Sequence, residues 1–223
     1  MRTANGVLSR IPAETKYSMS GLFRRNKLPY SLINPDSIVI QIGAPSDTLH
    51  AGRARSMHFA RLTSPRGHAV VMEPDPASAA AFTMMASEFG LTHCDVVEAG
   101  AWSRPERLRF RIDPAHPATN FTEGRVQYDA EELTRYEVVE IEARPVDEVV
   151  AELGLPRVDL VSITTNGAES EILAGMAETM AMGLRYVSLA RTDDGYIELM
   201  REYGFAFLGH DDRGFTFCRD SGQ

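Results

Sequence analysis

Ser37-Ile38-Val39-Ile40-Gln41-Ile42-Gly43 is the stretch that decides the fold. A β-branched, apolar run closed by a glycine reads as a strand buried on both faces of a parallel sheet. Residues 68–72 (HAVVM) repeat the pattern and end at Glu73-Pro74-Asp75-Pro76. Between the two runs, residues 52–64 (GRARSMHFARLTS) place Ala54, Met57, Phe59, Ala60 and Leu62 near helical spacing, and Pro65, Arg66 and Gly67 break the helix. Strand, helix and strand at these lengths make a parallel βαβ unit.

The same alternation continues outward. Residues 77–89 read as a helix and 94–99 (CDVVEA) as a third strand. Residues 108–112 (LRFRI) and 137–143 (EVVEIEA) alternate polar and apolar, as strands with one solvated face do. The polar residues 113–135 between them read as an inserted loop. Helix 145–153, strand 158–164, helix 169–182, strand 184–190 and helix 196–203 follow, and strands 205–208 and 215–218 close around Asp211-Asp212-Arg213-Gly214. Strands alternating with helices predict a doubly wound α/β sheet, with an antiparallel partner at one edge.

A chain of 223 residues allows one such domain at 37–223 and an N-terminal extension or lid at 1–36, which carries the basic cluster Arg24, Arg25 and Lys27. The 31 acidic and 23 basic residues give a net charge of −8, which disfavours a broad nucleic-acid or anionic-membrane surface. Cys94 and Cys218 form no metal or disulfide pattern. The N-terminus lacks the apolar core of a signal peptide, and no run approaches the roughly 20 apolar residues of a membrane span. A soluble, cytoplasmic protein is the expectation; the oligomeric state has no readable signal.

In an open parallel sheet, ligands bind beyond the carboxyl ends of the strands. Gly43, Ala44, Pro45 and Ser46 follow the first strand, where a glycine lets backbone approach a ligand. Glu73, 30 residues after Gly43, follows the second and suits the two hydroxyls of a ribose; a solvated strand-end carboxylate is the plainer alternative. Gly100-Ala101-Trp102 follows the third, with Trp102 read first as packing under the inserted loop. Thr164, Thr165, Asn166, Gly167 and Glu169 follow the fourth, either capping the next helix or facing a ligand. His50, His116, Asn166 and Glu169 are the side chains available for acid–base or acceptor contacts. No His/Asp cluster points to a metal.

Three stretches together resemble the FkbM family of S-adenosylmethionine-dependent methyltransferases. They are QIGA (41–44) with VVMEPDP (70–76), GAWSRPERLRF (100–110), and RPVDEVVAELGLPRVDLVSITTNGAESEILAGM (144–176), within a match from about residue 37 to 218. The resemblance implies a seven-stranded Rossmann-like methyltransferase sheet with its last strand antiparallel. It implies S-adenosylmethionine as cofactor, held by Gln41, Gly43, Ala44 and Ser46, by Glu73 and Pro74 at the ribose, by Glu98, Ala99 and Gly100 near the adenine, and by Thr164. It implies O-methylation of a hydroxyl on a small molecule, sugar, glycan or natural product, the acceptor pocket being formed by the N-terminal segment and residues 113–135. The chain departs from the family where Gln41 replaces an acidic residue and where Ser162, Thr164 and Asn166 replace a Lys, an Asp and a Glu. Those neutral replacements favour a rival reading, a non-catalytic protein of the same fold that binds a ligand or partner. A nicotinamide-dependent dehydrogenase is disfavoured by the missing GxGxxG.

Overall fold

A computed structural model describes residues 12–219. The main sheet has seven strands: β1 (Ile38–Ile42), β2 (His68–Met72), β3 (Cys94–Val97), β8 (Leu160–Ile163), β9 (Tyr186–Leu189), β10 (Phe205–His210) and β11 (Phe215–Arg219). Their order is β10-β11-β9-β8-β1-β2-β3. The pairs β1–β2, β2–β3, β1–β8 and β8–β9 are parallel, and β11 runs antiparallel to both β9 and β10. This is the doubly wound methyltransferase sheet expected from the sequence. The closing strand–turn–strand lies at one edge, and its last strand, β11, is antiparallel and sits between β9 and the edge strand β10.

The alternation of side chains along β1 supplies both cores. Ile40 and Ile42 join a cluster with Val70, Met72, Val149, Ile172, Leu173 and Met200. Val39 joins the other with Ala69, Val71, Leu49, Met57, Phe59 and Phe82. The first cluster is covered by α5 (Val146–Glu152), α6 (Glu169–Ala174), α7 (Ala177–Ala181) and α8 (Gly195–Glu202). The second is covered by α1 (Ala13–Arg24), α2 (Ser46–His50), α3 (Arg55–Leu62) and α4 (Pro76–Glu88). Each fully buried Val, Leu, Ile or Phe side chain contributes roughly 1.5–3 kcal/mol of transfer free energy.

Residues 1–11, part of the N-terminal extension, lie outside the described residues. The remainder of the extension packs into the second cluster through Tyr17 and Tyr30, each 1 % exposed. Tyr17 donates to the Leu49 carbonyl at 2.7 Å and Ser20 to that of Gly52 at 3.1 Å, so α1 is bonded to the turn between α2 and α3.

The helix expected at 52–64 is α3, and α2 precedes it without a signal in the sequence reading; Gly52, with a φ of +71°, separates the two. The helix expected at 169–182 is split into α6 and α7, where Gly175 lies so close to the Trp102 backbone that a Cβ would meet its carbonyl oxygen at 1.9 Å. The alternating segments β5 (Glu106–Ile112) and β7 (Glu137–Arg144) do not join the main sheet. They pair antiparallel and, with β4 (Gly100–Ala101) and β6 (Phe121–Thr122), build a second, four-stranded sheet, β4-β7-β5-β6. No described helix is long and apolar enough to cross a membrane.

Candidate active site

The carboxyl ends of β1, β2 and β8 open into a cleft with two lobes. The first, about 600 Å³, has Gly43, Glu73, Pro74 and Gly100 on one side and the second sheet's Leu108, Phe110, Phe121 and Ile141 on the other. The second lobe, about 620 Å³, is walled by Ala44, Thr48, Ala54, Arg55, Ser56, Arg191 and Arg213. Gly43, Pro45, Ala118, Thr164, Thr165 and Asn166 line both lobes and form their common rim.

Glu73 ends β2, and its side chain is buried. One carboxylate oxygen accepts from the Ala44 amide at 2.5 Å and the other from the Asp75 amide at 2.9 Å. These bonds fix the carboxylate at the cleft and leave each oxygen a further lone pair. Burial pushes its pKa from the ordinary 4.5 up to about 7, although the Ala44 and Asp75 amides pull the other way. Gly43 has a φ of +86°, and a Cβ there would meet the Thr164 carbonyl oxygen at 2.5 Å. Only glycine lets the β1 and β8 ends approach this closely.

Gln41 lines neither lobe. Its Nε2 donates to the carbonyls of Ile42 and Gly43, both at 2.9 Å, and to Thr164 Oγ1 at 2.7 Å. Thr164 Oγ1 in turn bonds the Ile42 carbonyl at 3.0 Å. The neutral pair Gln41 and Thr164 is therefore a brace between strand ends, in a place where an acidic residue would have found carbonyl oxygens.

Of the other residues expected at the cofactor, Gly43, Pro74, Gly100 and Thr164 line the first lobe and Ala44 the second. Ser46, Glu98 and Ala99 line neither: the Ser46 amide bonds Ser78 Oγ at 3.1 Å, Glu98 is exposed and Ala99 is buried. The acid–base candidates also disperse. His50 and His116 are exposed and line neither lobe. Glu169 is fully buried, paired with Arg191 at 3.0 Å and bonded by Thr165 at 3.1 Å, and it also lines neither lobe. Asn166 does reach the rim, where its Nδ2 donates to the carbonyls of Ala118 at 3.1 Å and Asn120 at 2.8 Å. It clamps the inserted segment 113–135 over the cleft. That segment supplies Pro117, Ala118, Asn120, Phe121 and Thr122 to the walls, whereas no described residue of the N-terminal extension lines either lobe.

The sequence reading missed Arg55. It is 4 % exposed and bonds Asp211, Asp212 (Nη2 at 2.5 Å), Ser162 (3.3 Å) and Ser188 (2.7 Å). Its guanidinium reaches Ser162 on β8. Its partners come from three distant segments, so no local spacing announces it. Trp102, read as packing, is buried with the Arg125 guanidinium 4.7 Å above its ring.

No family model and no curated protein matches this chain. Solved structures do. Methyltransferase FkbM from Methylobacillus flagellatus KT superposes with a TM-score of 0.55 and 14 % identity over 93 % of this chain, which spans 48 % of that one, about half its length. Fibrillarin from Aeropyrum pernix, with natively bound S-adenosyl-L-methionine, superposes with a TM-score of 0.47 and 13 % identity over 91 % of this chain and 74 % of its own. At 14 % identity the first of these likenesses shows the fold alone.

Proposed function

We propose that the protein is an S-adenosylmethionine-dependent methyltransferase acting on a hydroxyl of a small molecule, sugar, glycan or natural product, with residues 37–223 as its transferase domain. The observation that carries this reading is the juxtaposition of Glu73 with Gly43 at the wall of a largely apolar lobe. A fixed carboxylate suits a ribose diol, and Pro74, Phe110 and Phe121 offer apolar surface to a purine. The donor set thus fits the cofactor, which when bound supplies an electrophilic methyl group on a sulfonium.

The chain's own part is positioning. The Gln41–Thr164 brace fixes the rim between the lobes, and Asn166 holds the insertion over it. Alignment of reacting groups accounts for roughly 7–11 kcal/mol in favourable cases. Among the described residues, Glu73 is the only carboxylate lining either lobe, and no histidine or cysteine lines them. That same observation favours the second reading, a ligand-binding protein of this fold without turnover.

Calorimetric titration of the protein with S-adenosylmethionine, beside Glu73→Ala, tests the proposal. Micromolar binding by the wild type, weakened at least about tenfold in the variant, is expected from loss of two hydrogen bonds to a charged group. No binding up to millimolar cofactor overturns it. Formation of S-adenosylhomocysteine with an accepted substrate separates the enzyme from the non-catalytic reading.

A further inference from the structure

The second lobe has the chemistry of an oxyanion site. It is lined by three arginines and no acidic residue; the carboxylates that pair with Arg55 and Arg191 do not line it. Arg55 is saturated, since every N–H of its guanidinium faces Asp211, Asp212, Ser162 or Ser188. Its function is to hold the Asp211–Gly214 turn. Asp211 also accepts from the amides of Arg213 at 2.7 Å and Gly214 at 2.8 Å, and a Cβ on Gly214 would meet the Arg191 amide nitrogen at 2.5 Å. The turn is thereby pressed against residues 189–191. This brings Arg213, which has no ion pair among the described residues, to the same lobe as Arg191.

The opposite wall is the first turn of α3. Ala54 caps this eight-residue helix with no side-chain bond, so its leading amides lack side-chain acceptors. Ser56, in that turn and 1 % exposed, has an Oγ with no hydrogen-bond partner. A buried hydroxyl without a partner is uncommon in a folded protein and points to a ligand group. An uncapped helix start, an orphan hydroxyl and two cationic forks around one cavity are the parts of a phosphate or carboxylate site.

We infer that this lobe binds an oxyanion, phosphate or carboxylate, carried by the methyl acceptor. The inference rests on the proposed function: a cofactor in the first lobe, with its ribose at Glu73, leaves the second for the acceptor across the shared Gly43–Thr164 rim.

The test is binding of inorganic phosphate at constant ionic strength, followed by calorimetry on the protein loaded with S-adenosylhomocysteine. Phosphate is expected to bind the loaded wild type, about tenfold more weakly to Arg213→Gln and several-fold more weakly to Ser56→Ala. S-adenosylmethionine affinity should stay within about twofold in both variants, since neither residue lines the first lobe. No phosphate binding by the loaded wild type overturns the site. Competition between phosphate and S-adenosylmethionine, or an equal loss of cofactor affinity in Arg213→Gln, gives the lobe to the cofactor's own carboxylate and overturns the acceptor assignment. Phosphate binding by a wild type that takes no cofactor overturns the methyltransferase reading and the acceptor assignment with it, leaving a plain oxyanion site.

Discussion

Glu73 holds a proton at a pH where most carboxyls have lost theirs. Its pKa is raised from 4.5 to about 7 by burial, so between these values the folded chain retains a proton that the unfolded chain releases. Stability then falls as pH rises through that window. Glu73→Gln removes the titration. The stability difference between variant and wild type should move in the variant's favour from pH 4 to pH 8, by at most on the order of 3 kcal/mol. Urea unfolding of both proteins at the two pH values checks this, and a pH-independent difference would refute the raised pKa. Gly43 and Glu73 were legible because a strand-end glycine and a strand-end carboxylate are local signals. Ser56, Arg191 and Arg213 were not, because their convergence is made by the turn at Asp211 and by the start of α3. Glu169 shows the reverse error: a carboxylate beside the right strand is turned away from the cleft by Arg191.

At the scale of elements, the strand–turn–strand formed by β10 and β11 is tied to α3 by one buried ion cluster. Burial pushes the Asp211 carboxyl up, but the Arg55 guanidinium, Thr216, the Arg213 amide and Ser188 outweigh it and hold the pKa below 3.8. Asp211 therefore contributes stability that is full above that value and lost as pH falls through the depressed one. Arg55→Met should cost about 3–5 kcal/mol at pH 7, because it leaves Asp211 buried without a counter-charge. Adding Asp211→Asn should recover part of this loss. Chemical denaturation of the wild type and both variants measures it; a single variant as stable as the wild type would show the cluster to be energetically idle. The order of strands and helices was legible from hydrophobic period alone. The short helix α2 and the break between α6 and α7 were not. At Gly52, just after α2, the neighbouring α1 leaves no room, a Cβ there lying 2.7 Å from that of Lys16, and at Gly175 the Trp102 backbone does the same. Both are contacts between distant segments.

Over the whole molecule, two sheets meet at the cleft, and the sequence announced only the larger. The smaller was visible as alternating strands with one wet face, but nothing in the alternation said which partners they would take. Its outer rim is the segment Asn166 clamps. Asn166→Ala should free the amides of Asn120 and Arg125 to exchange about tenfold faster, the effect of losing one to two hydrogen bonds, with the main sheet unchanged. Hydrogen–deuterium exchange reads this directly, and unchanged protection there would mean the insertion is held by its own packing.

Asp212 joins the two ends of the described chain. It accepts from Tyr30 at 2.8 Å, lies 3.6 Å from Arg24, and pairs with Arg55. Arg55 and Asp211 are 156 positions apart in sequence. A ribosome makes the cation long before its anions. Until the closing hairpin has left the exit tunnel, the early helices must either keep that guanidinium wet or bury it alone. The closing hairpin, made 156 positions after Arg55, thus decides when the early helices can settle.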